Sequence, residues 1–92
     1  MSDIFEYAKN GDLDNLKLEL AKGVNVNIQD ERGLTALMLA AGYGNANCVN
    51  LLINENSDFK ILDRTGFTAL FYADYHGHKN CVKLLEKAGA IK

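Results

Sequence analysis

A chain of 92 residues, 48% apolar and 24% charged with a formal charge of −2, fits one soluble globular domain near the size at which a single core becomes marginal. It lacks the basic run that phosphates require, and no apolar stretch approaches the ~20 residues of a membrane-spanning helix, so neither nucleic acid nor membrane is expected as a partner. The opening MSDIFEYAKN is acidic and amphipathic, unlike a secretion signal, and a cytoplasmic location is expected.

The first unit, residues 1–29, is the least regular. Its Gly11, Leu16 and Leu18 stand 33 residues ahead of Gly44, Val49 and Leu51, and Gly23 holds the place of Asn56 and Gly89. The second unit, residues 30–62, reads clearly. Thr35 is placed to cap a short helix over 36–41, its side-chain oxygen accepting from a backbone N–H that the helix leaves orphaned. Ala40 allows close approach of a neighbouring layer, and Gly44 ends the helix where a positive φ is cheap. A second helix over 46–54 carries Cys48, Val49, Leu51 and Leu52, an apolar surface wider than a one-sided stripe, so it is expected to be covered from several directions. The third unit, residues 63–92, repeats the scheme. Thr68 is its cap, Ala73 its small contact, Gly77 its stop, and a helix over 79–87 bears Cys81, Val82, Leu84 and Leu85.

A shift of 33 superposes the last two units with twelve identities over 30 positions, from Asp30 on Asp63 to Leu52 on Leu85. The pattern D-x-x-G-x-T-A-L-x-x-A spans 30–40 and 63–73, G-H-x-x-C-V-K-L-L spans 77–85, and K-G-V-N-V-N spans 22–27. In period and motif the chain resembles the ankyrin-repeat family. The resemblance implies an all-α solenoid of three stacked helix-turn-helix units joined by β-turn or hairpin loops. It also implies a single domain over 1–92, with repeats near 1–29, 30–62 and 63–92.

The family's Thr-Pro-Leu-His becomes Thr35-Ala36-Leu37-Met38 and Thr68-Ala69-Leu70-Phe71. Alanine is a good helix former, so losing Pro changes little. Losing His removes a polar link, which Met38 and Phe71 are expected to replace by packing. Polar residues at the ends read as solvent-facing caps of a complete three-repeat stack: Glu6 for Leu39, Lys9 for Gly42, Glu19 for Leu52, Asp74 for Ala41 and Glu86 for Ile53.

No constellation points to catalysis, a cofactor or a metal. GYGNAN at 42–47 lacks the third glycine and the preceding strand of a dinucleotide site. Asp74, His76, His78 and Cys81 include ligand types zinc favours, but a short turn and a core thiol do not assemble a closed site. Cys81 follows His78 by three residues, yet a thiol in apolar surroundings is held protonated and not activated. Cys48 and Cys81 are expected as reduced packing residues on successive layers. Helices ~8–10 Å apart hold them too far from each other for a disulfide.

In the ankyrin family, partners are usually held on the concave face. The resemblance places partner binding on the turn tips Glu31, Arg32 and Leu34, then Arg64, Thr65 and Phe67. It adds the first-helix positions Tyr43, Tyr75 and His76, beside Gly42, Lys9 and Asn10. Phe67, Phe71 and Tyr75 recur every fourth residue, and aromatic and Arg side chains are enriched at binding hot spots. Tyr72 is expected to cover the final layer. The expected function is a non-catalytic protein–protein interaction module, monomeric, for a partner protein whose identity the sequence does not carry. The alternative is a self-associating or minimal engineered repeat scaffold without a natural ligand, its exposed apolar surface driving weak end-to-end stacking.

Overall fold

The computed structural model describes residues 3–90; the expected domain bounds at 1 and 92 lie outside the described residues. Six helices follow one another, and no strand occurs among the described residues. They are α1 (Ile4–Asn10), α2 (Leu13–Ala21), α3 (Ala36–Gly42), α4 (Ala46–Asn54), α5 (Ala69–Tyr75) and α6 (Lys79–Ala88). α1 packs with α2, α3 with α4 and α5 with α6, and these hairpins stack so that α1, α3 and α5 make one row and α2, α4 and α6 the other. The expected all-α stack of three helical hairpins is what the chain forms. No helix among the described residues is long and apolar enough to cross a membrane.

The local reasons repeat from layer to layer. Thr35 Oγ1 accepts from the Met38 N–H at 3.2 Å, and Thr68 Oγ1 from the Phe71 N–H at 3.1 Å, so both predicted caps form. One expectation is corrected here: Met38 does more than pack. Its Sδ accepts from the Thr35 N–H at 3.5 Å, a sulfur standing in for the lost polar link and closing a reciprocal cap. Phe71 has no such acceptor, and its ring stacks on Phe67 instead, 3.9 Å between centroids.

The core runs along the seams. Ile4, Leu16, Leu37, Val49, Leu52, Leu70, Leu85 and the two cysteines are its largest fully buried side chains. Ala8, Ala40, Ala41 and Ala73 are fully buried, small enough to let α1, α3 and α5 approach closely. At the ends, Glu6, Asp74 and Glu86 are exposed while Lys9 and Glu19 are half-buried.

Polar ties cross both seams at equivalent places. Asn45, just before α4, donates from Nδ2 to the carbonyls of Ala8 and Lys9 at 2.8 Å each. His78 stands 33 residues later, just before α6, with Nε2 3.0 Å from the Gly42 carbonyl. A carbonyl only accepts, so that nitrogen carries the proton. Both side chains thus satisfy last-turn carbonyls that the preceding layer's first helix leaves open. The fit leaves no spare volume. A Cβ on Gly44, whose φ is 77°, would meet the His78 ring at 2.7 Å.

Candidate functional site

The concave side is shaped by its turns. Asp30 Oδ1 accepts from the Arg32 N–H at 2.9 Å and the Leu34 N–H at 2.8 Å. Asp63 Oδ1 does the same for the N–H groups of Thr65 and Phe67, 2.9 Å each, and accepts from the Thr65 hydroxyl at 2.7 Å. A short aspartate side chain here replaces the backbone acceptor a tight turn would otherwise lack. The two tips are tied to each other: the Arg64 N–H donates to the Arg32 carbonyl at 3.0 Å, and Gln29 Nε2 bridges the carbonyls of Gly33 and Leu62 at 2.8 and 3.2 Å. A Cβ on Gly33 would meet the Arg64 nitrogen at 2.9 Å, which is why this turn needs a glycine.

Between these tips and the helices lies a groove of about 760 Å³. Glu31, Arg32, Leu34, Asp63, Arg64 and Thr65 line it from the tips, Met38, Leu39 and Gly42 from α3 with Tyr43 just past its end, and Tyr72 from α5 with His76 just past its end. Tyr72 ties its wall together by donating from the phenol to Asp63 Oδ2. Burial works to raise the Asp63 pKa, but the bonds from Tyr72, Phe67 and Thr65 outweigh it and hold the carboxyl below its usual value. Tyr72 is pushed up, first by burial and then by its bond to the Asp63 carboxylate. At the end nearer α1, Lys9 Nζ stands 5.7 Å from the Tyr43 ring centroid, a cation–π distance.

Of the residues expected at a binding face, Glu31, Arg32, Leu34, Tyr43, Arg64, Thr65 and His76 come together around this groove. Phe67 and Tyr75 do not. They are the 33-residue equivalents of Leu34 and Gly42, which face the following layer; past α5 no described layer follows. The two rings stand exposed there, at 38% and 73%, in a ladder with Phe71 between them. Gly42, expected to be exposed, is half-buried because Tyr72 lies over it; a Cβ there would sit 3.5 Å from that of Tyr72.

Met38, Leu39 and Asp63 were expected only as framework, and Tyr72 as a cover for the final layer; Tyr72 instead turns toward Gly42 of the preceding layer, and all four line the groove. A position-by-position likeness between repeats assigns each residue to one layer and does not show which faces converge. Of the candidate zinc-type residues, Cys81 is buried in the seam, His78 is engaged by Gly42 and His76 faces the groove. Among the described residues no group of three or more His, Cys, Asp or Glu converges to hold a metal ion. Cys48 and Cys81 are free and buried, and burial raises both thiol pKa values, with the Asp12 charge adding to the shift at Cys48.

Comparison with known proteins gives a consistent picture. The family model "Ankyrin repeats (3 copies)" matches residues 4–92. YahD of Escherichia coli (strain K12), described as an ankyrin repeat protein, is 40% identical over 57 residues, which are 62% of this chain and 28% of YahD. The human DNA-binding protein RFXANK is 43% identical over 56 residues, 60% of this chain and 22% of that protein. Among solved structures, the human ASB11 ankyrin repeat domain superposes with a TM-score of 0.93 at 32% identity, covering 99% of this chain and 41% of that one. A chain in the structure of the Bd0816 predatory endopeptidase from Bdellovibrio bacteriovorus in complex with immunity protein Bd3460 reaches 0.94 at 34% identity, covering 99% and 48%. The chain therefore spans less than half the length of each of these relatives.

Proposed function

The chain belongs to the ankyrin-repeat family, whose repeats are protein–protein interaction modules, and from that premise we propose that it binds a partner protein, without catalysis, through the groove between its second and third layers. The observation that carries this reading is the groove itself. Its size lies within the range of natural ligand clefts, and its walls belong to rigid helices and tied turns, so little ordering accompanies binding. The framework residues that repeat identically build the seams, whereas the rim differs between layers: Glu31 against Arg64, Arg32 against Thr65, Tyr43 against His76. Seven of the nine residues expected at a binding face meet there.

Buried thiols with raised pKa values make poor nucleophiles, which supports the non-catalytic part of the proposal. The same reading takes residues 1–92 as one domain with repeats near 1–29, 30–62 and 63–92, located in the cytoplasm, where unpaired thiols stay reduced. The test is a photocrosslinking residue at Tyr43, in the groove, compared with one at Asn50, exposed on α4. Crosslinked partner should form from Tyr43 alone; equal yields from the two positions would refute the groove as the binding face.

A second reading has one observation behind it. The ladder of Phe67, Phe71 and Tyr75 leaves stacked aromatic rings beside the last described first helix, α5, where a second copy could continue the stack. Sedimentation over a wide concentration range separates the two readings. A monomer throughout excludes self-association.

A further inference from the structure

We propose that the groove takes an acidic segment of its partner, one in which carboxylates flank an apolar side chain; the proposal rests on the reading of the groove as the protein-binding site. Arg32 and Arg64 are the only arginines of the chain. They stand on facing turn tips whose backbones are bonded to each other. Both line the groove, both are exposed, and no ion pair between described residues includes either. Two exposed guanidiniums on adjoining tips leave positive charge at the rim that an anion would offset. The planar fork of arginine matches a carboxylate through two parallel bonds.

The groove's own acids do not supply that anion. Asp63 is buried and already faces donors from Thr65, Phe67 and Tyr72. Glu31 is exposed on the rim and forms no ion pair with a described residue. At the other end, the Lys9 ammonium over the Tyr43 ring adds positive charge. Below the exposed cations the lining turns apolar, with Leu34 and Leu39 half-buried and Met38 buried. A ligand therefore meets charge at the rim and an oily floor below it, the arrangement that favours an apolar anchor between acidic neighbours. A nucleic acid fits less well. Two arginines on a chain of net charge −2 fall short of the track of cations that phosphates need.

The test is an amide NMR titration of the full chain, isotope-labelled, with short synthetic peptides that share a central leucine. The flanks are Asp and Glu in one, Gln in the second and Lys in the third; a mixed-sequence DNA duplex makes the fourth arm. The acidic peptide should shift residues 31–34, 38–43, 63–65 and 72–76, and added salt should weaken it. The double variant Arg32→Ala/Arg64→Ala should bind about tenfold more weakly with an unchanged circular dichroism spectrum. Stronger shifts of the same residues by the Gln or Lys peptide would overturn the acidic preference while leaving the groove as the binding face. DNA binding there as tightly as the acidic peptide would overturn the choice of a protein segment. Shifts confined to other faces, or none from any peptide at millimolar concentration, would overturn both the preference and the groove.

Discussion

At the scale of single residues, Asn45 and Asp63 carry more than their surroundings suggest. Asn45→Ala leaves the carbonyls of Ala8 and Lys9 without their donor, and urea unfolding should register a loss of about 1–2 kcal/mol. A change under a few tenths would show that water replaces the amide at no cost. Asp63 gives a pH signature. Its folded carboxyl titrates below its unfolded value, so its stabilisation is complete above the ordinary aspartate pKa of about 4 and is lost as the pH falls through the folded value. Acid unfolding should be steeper for the parent than for Asp63→Asn; parallel curves would refute the assignment. The threonine caps were legible in the sequence because capping needs one residue type at one place. The reach of Asn45 was not, because its acceptors lie 36 and 37 residues earlier, beyond any local pattern. Nor did anything local show that Met38 would use its sulfur.

At the scale of helices and turns, two glycines form a natural experiment. Gly44 and Gly77 have nearly the same left-handed backbone, φ 77° and 74°, but a Cβ on Gly44 would strike the His78 ring whereas Gly77 has nothing within 4 Å. Gly77→Ala should cost about 1 kcal/mol of backbone strain and Gly44→Ala clearly more. Equal costs would mean that the His78 ring moves aside freely. The aromatic ladder makes the opposite prediction. Tyr75→Ala should change stability by less than about 0.5 kcal/mol, and Phe67→Ala by about 0.5–1.5 kcal/mol through its lost stacking on Phe71. A fall of several kcal/mol in thermal or urea unfolding would place either ring in the core. Helix limits were legible to within a residue at α3, α4 and α6, since cap, period and stop agree there. The exposure of Phe67 and Tyr75 was legible, but not which side of its layer each aromatic ring takes. Tyr72 over Gly42, and Phe67 and Tyr75 on the opposite side of α5, follow from which layer lies next to which.

At the scale of the whole molecule, cohesion resides in the seams, so exposure of a seam residue should require layers to part. Cys48 and Cys81, at 1% exposure each, report on this. A thiol reagent at neutral pH should label both slowly, at rates set by opening of the stack, and added urea should accelerate both together. Rapid labelling of Cys81 alone would show that the last layer frays independently. The architecture was legible because the same instruction occurs in three copies, while the groove belongs to no single copy and emerges only when two are set side by side.

The ties made by Asn45 and His78 share a direction, since each of these two side chains reaches back to carbonyls of the preceding layer's first helix. The tie thus recurs with the repeat, and the place of another is specified. A designer placing a further hairpin after α6 should set an amide or imidazole 33 residues beyond His78, aimed at the carbonyl of Tyr75, the equivalent of Gly42.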